Sequence, residues 1–267
     1  MFRLHKKIKE ESVVADKLKE KIDYKIFGII TAIVVVFQLY LNTFKSPDDP
    51  TVNFLASFIY SITALIAAAA AFFISKRYWN SEVFGKSYLA LAFGMIMNVL
   101  GEGIYYVLEQ QGQVPSPSIS DWASLSFYPL AFYHLAKNIS FFKPVIRKPL
   151  KLFVIAIPIV VSSIYAFIQY GQEQAADTTF FLGLAYIVGG TVILSAAILG
   201  SAVFRQGVLG VPWLILTLGI VLSTVGDVWY SYLDVYNLYT VQHPVNLLWS
   251  AGFLVIAYAL YKHKKVI

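Results

Sequence analysis

The chain has 267 residues, of which 58% are hydrophobic and 13% charged, with a net charge of +6. Soluble domains average about 25% charged residues; with a mean hydropathy of +0.66, a soluble globular fold is excluded and an all-α polytopic membrane protein is expected. Zero cysteines remove disulfides, thiolate metal sites and cysteine nucleophiles.

In chain order, the first 25 residues are rich in lysine and lack an apolar core or small-residue cleavage site, so no cleaved signal peptide is expected. Residues 1–24 read as a basic amphipathic segment. Leu4, Ile8, Leu18 and Ile22 would form the apolar stripe of a short helix lying on the inner leaflet or docking on a partner. Runs of about 20 apolar residues are long enough to cross a hydrocarbon core. Eight follow, near 26–43, 53–75, 86–108, 122–137, 150–170, 178–203, 209–233 and 245–261. The fourth and eighth are the shortest.

Loop charge sets the expected orientation. With the N-terminus cytoplasmic, the inner segments hold the basic residues from Arg3 to Lys25, then Lys76, Arg77 and Lys86. They continue with Lys137, Lys143, Arg147, Lys148 and Lys151, then Arg205, then Lys262, Lys264 and Lys265. Of 21 basic residues only Lys45 lies outside, which follows the positive-inside rule. It predicts eight spans with both termini cytoplasmic, in a multi-pass protein of the plasma membrane. The bases lie on short loops with no stripe of their own, so nucleic acid is not an expected partner; membrane lipids are.

Sliding the chain along itself by 125 residues brings landmarks into one ungapped register. Gly85 falls on Gly210, Gly94 on Gly219, Gly101 on Gly226 and Tyr105 on Tyr230. Glu102 falls on Asp227, Glu109 on Asp234, Asp121 on Asn246 and Tyr133 on Tyr258. Two four-helix repeats are expected, 25–137 and 150–262, joined by a basic cytoplasmic linker at 138–149 and followed by a basic tail at 263–267. Four helices each means that both point the same way, a parallel repeat of the kind seen in transporters.

The repeat carries a polar stripe. Asn98, Glu102, Tyr105 and Glu109 are spaced by 4, 3 and 4 residues, which puts them on one helix face. Ser223, Asp227, Tyr230 and Asp234 repeat the pattern. At 1.5 Å per residue, Glu102 lies some 10 Å deeper than Glu109. An ionisable residue in the hydrocarbon region costs about 2.5–3.5 kcal/mol on insertion scales and faces protein or a water-filled cavity. No lysine or arginine lies within a span to pair with these acids. They must be protonated, hydrated, or bonded to partners such as Asn98, Ser223 or a tyrosine hydroxyl. Interhelical packing beside close-packed glycines is the competing role for Glu102 and Asp227, and a solvated helix end for Glu109 and Asp234. Tyr106, Trp122, Tyr128, Trp229, Tyr232, Tyr236, Tyr239 and Trp249 crowd the outer end. They form either an interfacial belt or the wall of a ligand cup, with Trp122 and Trp249 as candidate contacts.

After each stripe the chain turns and re-enters. Ser118 or Ser120 is the expected N-cap, with Asp121 in the first turn, and Pro244 suits a first helical turn in the second copy. Gly-rich phosphate loops, HExxH and GxSxG are absent, and nothing names a cofactor, a metal or a catalytic residue. His5 and His263 are expected in the tails, His243 in an outer loop, and His134 as a packed residue near the inner end of helix four. The last spans hold no lysine for a retinal Schiff base.

GExxYxxLE followed by PSPSISDWASLSFYPLAF, then GDVWYSYL followed by HPVNLLWSAGFLVIAYAL, resembles the eight-helix membrane sensor region that precedes diguanylate cyclase, PAS or histidine kinase modules in prokaryotes. The likeness covers most of 83–137 and 208–262. It implies a membrane sensor that binds a small or lipidic ligand in an outward-facing polar and aromatic cavity. Output modules are missing from this sequence, so the signal would pass to a separate cytoplasmic partner. A fainter likeness is to lysoplasmalogenase-type membrane hydrolases, which carry acids in a GD context within the bilayer; two carboxylates on one cavity could then act on a lipid headgroup. The residues also fit a transporter or channel that uses the paired acids, or a structural subunit of a membrane complex.

Overall fold

A computed structural model describes residues 22–46, 49, 51–113, 117–142, 146–171 and 177–266. The basic segment 1–21 and residues 143–145 of the expected linker lie outside the described residues. Among the described residues the regular structure is entirely helical: α1 (Tyr24–Phe44), α2 (Thr51–Arg77), α3 (Phe84–Gln110), α4 (Ile119–Leu125), α5 (Phe127–Phe141), α6 (Lys148–Gly171), α7 (Thr178–Phe204), α8 (Gly210–Val235) and α9 (Val245–Val266). Seven of them, all but α4 and α5, are long and apolar enough to cross a membrane. The chain is a polytopic α-helical membrane protein.

The fourth apolar run departs from expectation. It is two helices that meet at Ser126, whose backbone stays in the right-handed helical region. Its hydroxyl donates to the carbonyl of Ala123 at 2.6 Å, the type of local side-chain bond that competes with a helix's own ladder. Two boundaries also move. α5 runs on to Phe141 and α9 to Val266, so residues 138–141 are helix rather than linker and His263 is not in a tail. His263 is buried and its Nδ1 hydrogen-bonds the hydroxyl of Tyr88. His134 is the packed residue expected, its ring 4.4 Å from that of Tyr88.

Helix starts follow ordinary capping chemistry. The Asp23 carboxylate accepts from Lys25 N at 3.0 Å, and that of Asp177 from Phe180 N at 2.9 Å. Ser118 and Asp121 form a reciprocal capping box on α4, satisfying two otherwise unpaired amides. At α9, which starts just after Pro244, the His243 ring accepts from Val245 N at 3.2 Å. Lys45, the exception to the charge asymmetry, donates to Asp49 at 3.0 Å. The Thr51 hydroxyl and amide, together with Lys45, hold the Asp49 carboxyl down at about 2.

Six helices close a ring in which each packs on the next: α2, α3, α5, α7, α8, α9 and back to α2. A shift of 125 residues carries α2 onto α7, α3 onto α8 and α5 onto α9, so the ring's contacts map onto themselves. The glycines match in detail. A Cβ on Gly94 would lie 3.3 Å from Phe127 O, and one on Gly219 would lie 2.9 Å from Gly252 O, 125 residues along in both members. Likewise Gly101 meets Ser124, and Gly226 meets Trp249. Lacking Cβ atoms, these glycines let α3 approach α4 and α5, and α8 approach α9, closely. The outer helices break the pattern, because α1 packs on α9 whereas α6 packs chiefly on α7.

One half of the ring is filled by Tyr88, Met95, Leu135, Trp213, Ile215 and Leu260, all fully buried. The other half, toward the C-terminal ends of α3 and α8, is open. Exposed Ile29, Val36, Phe58, Phe93, Ile155 and Phe167 form the apolar exterior.

Gly219→Leu should therefore destabilise the protein by overpacking, by about 1–3 kcal/mol. Gly28→Leu, on a face with nothing within 4 Å, should leave the melting temperature unchanged or slightly raised. Thermal melts of the two purified variants check the contrast.

Candidate functional site

The open half of the ring encloses a cavity of about 340 Å³. All eight residues of the two stripes line it: Asn98, Glu102, Tyr105 and Glu109 from α3, and Ser223, Asp227, Tyr230 and Asp234 from α8. Trp249 lines it as well. Trp122 does not. At 100° per residue Ser120, Asp121 and Ser124 of α4 share the inward arc, which leaves Trp122 on the opposite side, 66% exposed. In the repeat register Trp249 corresponds to Ser124, and it is Ser124 that occupies the inward position.

The aromatic crowd divides in the same way. Tyr128, Tyr239 and Trp249 face the cavity, whereas Trp229, Tyr232 and Tyr236 are exposed as interfacial residues are. From α2, Tyr60 stands edge-on to Trp249 and to Phe253, with ring centroids 6.2 and 5.4 Å apart. Tyr230 touches both Trp249 and Tyr239, at 5.7 and 4.8 Å. Phe127 and Phe253 belong to both the cavity lining and the packed core, and so form the floor.

The two deep acids have different partners. Asp227 accepts from the indole Nε1 of Trp249 at 2.9 Å and from the hydroxyl of Tyr128 at 3.1 Å. On its third side α7 passes at Gly190, where a Cβ would sit 3.0 Å from Asp227 Oδ2. Three helices besides its own thus enclose this carboxylate. Glu102 accepts from the hydroxyl of Ser57 at 2.6 Å. Of the expected partners a tyrosine hydroxyl, that of Tyr128, bonds an acid, whereas Asn98 and Ser223 do not. Ser223 donates to the carbonyl of Gly219 on its own helix at 3.2 Å, and Asn98 lines the cavity near Tyr60.

Nearer the helix ends, Asp121 caps α4 and accepts from Tyr186 at 3.4 Å. Glu109 and Asp234 line the outer part of the cavity. The loop after α8 folds over this end. Tyr239 donates to Asn246 Oδ1 at 3.2 Å, and the Gln242 amide donates to the carbonyls of Leu41 and Lys45 at 2.8 and 3.1 Å. Those bonds satisfy carbonyls at the end of α1 that have no partner within the helix.

Ser57, Tyr60, Gln169 and Tyr186 also line the cavity, although they belong to neither stripe. Each is an isolated polar side chain within an apolar span, and that is the signal that could have found them. Among the described residues no group of three or more histidines, aspartates or glutamates is placed to hold a metal ion.

Removing either donor of Asp227 should leave a buried acceptor unsatisfied, at a cost of about 1–3 kcal/mol. Tyr128→Phe should lower the melting temperature of the wild-type chain. In an Asp227→Leu background it should have a much smaller effect, since contacting residues couple by about 0.5–3 kcal/mol. A double-mutant cycle of thermal melts checks this, and strictly additive effects would show that the bond carries no stability.

Compared with protein-family models, curated proteins and solved structures, the chain matches none.

Proposed function

We propose that this protein is a membrane-embedded sensor or receptor that binds a small or lipidic ligand in the cavity between α3 and α8. In this reading the chain crosses the plasma membrane eight times, with the broken α4–α5 pair as the fourth crossing and both termini cytoplasmic. The cavity then faces outward, and its occupancy is passed along the ring to a separate cytoplasmic signalling partner. The two four-helix repeats, 25–137 and 150–262, form the two walls of the site.

The observation that carries the reading is the convergence of both stripes on one cavity whose far end is a solid core. Asn98, Glu102, Tyr105 and Glu109 meet Ser223, Asp227, Tyr230 and Asp234 there. Below the floor, the fully buried side chains of Met95, Leu135, Trp213 and Ile215 occupy the ring. A closed floor suits a receptor better than a conduit. The likeness to prokaryotic membrane sensor regions points the same way, and it rests on the motifs that supply these stripes. A cavity of this size, with polar groups converging on it from several helices, falls in the range of small-molecule sites.

Paired acids in related halves also suit a transporter, and one set of measurements separates the readings. Purified wild-type protein in nanodiscs should bind a ligand detectable by mass spectrometry of the native complex. Glu102→Gln should weaken that binding, and proteoliposomes should show no flux. Substrate flux that collapses in Glu102→Gln or Asp227→Asn would replace the sensor with a transporter. Turnover of lysolipid by the purified protein alone would replace it with an enzyme.

A further inference from the structure

If the cavity is a ligand site, as proposed above, its charge pattern narrows the class of ligand. Five carboxylates line it, those of Glu102, Glu109, Asp121, Asp227 and Asp234, and among the described residues no lysine, arginine or histidine does. Asp121 is already engaged as a helix cap and Asp227 by two neutral donors. None of these contacts supplies positive charge. Every acid that ionises there, as one would opposite a cation, adds negative charge that no basic side chain of the lining offsets.

Acids alone would suit water or an inorganic cation as well. Two further features point to an organic one. The first is the aromatic wall of Tyr60, Tyr230, Tyr239 and Trp249, whose rings touch in sequence. Rings of this kind attract cations through their quadrupole, and clustered rings are how quaternary and alkyl ammonium groups are held. The second is Gln169 of α6. It is 7% exposed and lines the cavity. Its amide nitrogen donates to Tyr165 at 3.0 Å, while its carbonyl Oε1 has no partner. A buried acceptor without a donor is uncommon, and a ligand bearing N–H groups, or a water carried in with it, would complete it. A metal ion would instead need clustered carboxylates, and the acids are not so grouped.

We infer that the cavity binds organic cations, molecules with an ammonium group on a small apolar body, and discriminates against neutral and anionic molecules of the same shape. The ammonium comes either from a free amine or from a lipid headgroup, and the test separates these sources.

The full chain, in nanodiscs of phosphatidylglycerol, is titrated with choline, with its neutral isostere 3,3-dimethylbutan-1-ol and with the anionic 3,3-dimethylbutanoate. Choline should bind at least about tenfold more tightly than the alcohol, a difference of about 1.4 kcal/mol, and the carboxylate should not bind. Glu102→Gln and Tyr230→Leu should each weaken choline several-fold while the alcohol's affinity is unchanged in Glu102→Gln. Melting curves confirm that both variants are folded. In phosphatidylcholine discs, unchanged choline affinity assigns a free ammonium ligand and competitive loss assigns the headgroup; both support the inference. Equal binding of choline and the alcohol, or preference for the carboxylate, overturns the cation inference and leaves the ligand cavity standing. No binding by any of the three probes overturns both.

Discussion

The structure turns on one bonding problem, the placement of a carboxylate in the apolar part of a helical bundle. Asp227 cannot face lipid, and its own helix offers nothing to satisfy it. Its partners come from both halves of the chain, Tyr128 from α5 and Trp249 from α9, with α7 close enough at Gly190 that only a glycine fits without pressing on it. Satisfying this one group brings α5 and α9 onto α8, with α7 packed beside it, and those are four of the six helices of the ring. Transmembrane helices gain little from burying apolar surface against one another, since lipid is equally apolar. A polar anchor shared among several helices, with small residues that permit close contact, is therefore an effective way to fix which helices meet. The glycine pairs at Gly94 with Phe127 and Gly219 with Gly252 supply the close contact at the matching depth in each half.

Much of this was legible in one dimension. The eight apolar runs lie within the observed helices except at the α4–α5 break and at Leu209, the residue before α8. The 125-residue register predicted which side chains would share a cavity because stripe position depends only on helical periodicity, which is a local property. Partner identity does not depend on periodicity. Ser57 and Tyr186 reach acids, and Tyr60 the cavity, through the rotation and depth of other helices, and these are set by packing rather than by any pattern along one stretch of sequence. Trp122 illustrates the limit. Its proximity to the stripe in sequence suggested a wall residue, but one residue along a helix is 100° of rotation, enough to turn the ring out of the cavity. His263 shows the opposite case. Tail-like in a run of lysines, it was drawn into the bundle by the hydroxyl of Tyr88, a partner 175 residues away.

The departures from repeat symmetry are informative because they are confined. Apart from the α4–α5 break, which the continuous α9 lacks, the ring's contacts follow the 125-residue register, whereas those of α1 and α6 do not: α1 lies on α9 and α6 on α7. Both helices contribute to the cavity, α1 through Phe37 and Gln38 and α6 through Tyr165 and Gln169. The ring therefore sets both acids on one cavity, and the asymmetric outer helices differentiate its two sides. Duplication followed by divergence of the outer pair would convert a two-fold cavity into one with a distinct front and back, as an asymmetric ligand requires.

The same logic separates the two acids. Asp227 has a short side chain and two strong donors, one an indole N–H with no other hydrogen-bonding use. Glu102 is one methylene longer, and a single serine hydroxyl on α2 holds it. A carboxylate can accept about four hydrogen bonds, so Glu102 has more capacity left than Asp227. The 125-residue register puts the two acids at corresponding positions of α3 and α8, and their neighbours make them unequal: Asp227 ties helices of the ring together, and Glu102 keeps the larger unused accepting capacity on the cavity.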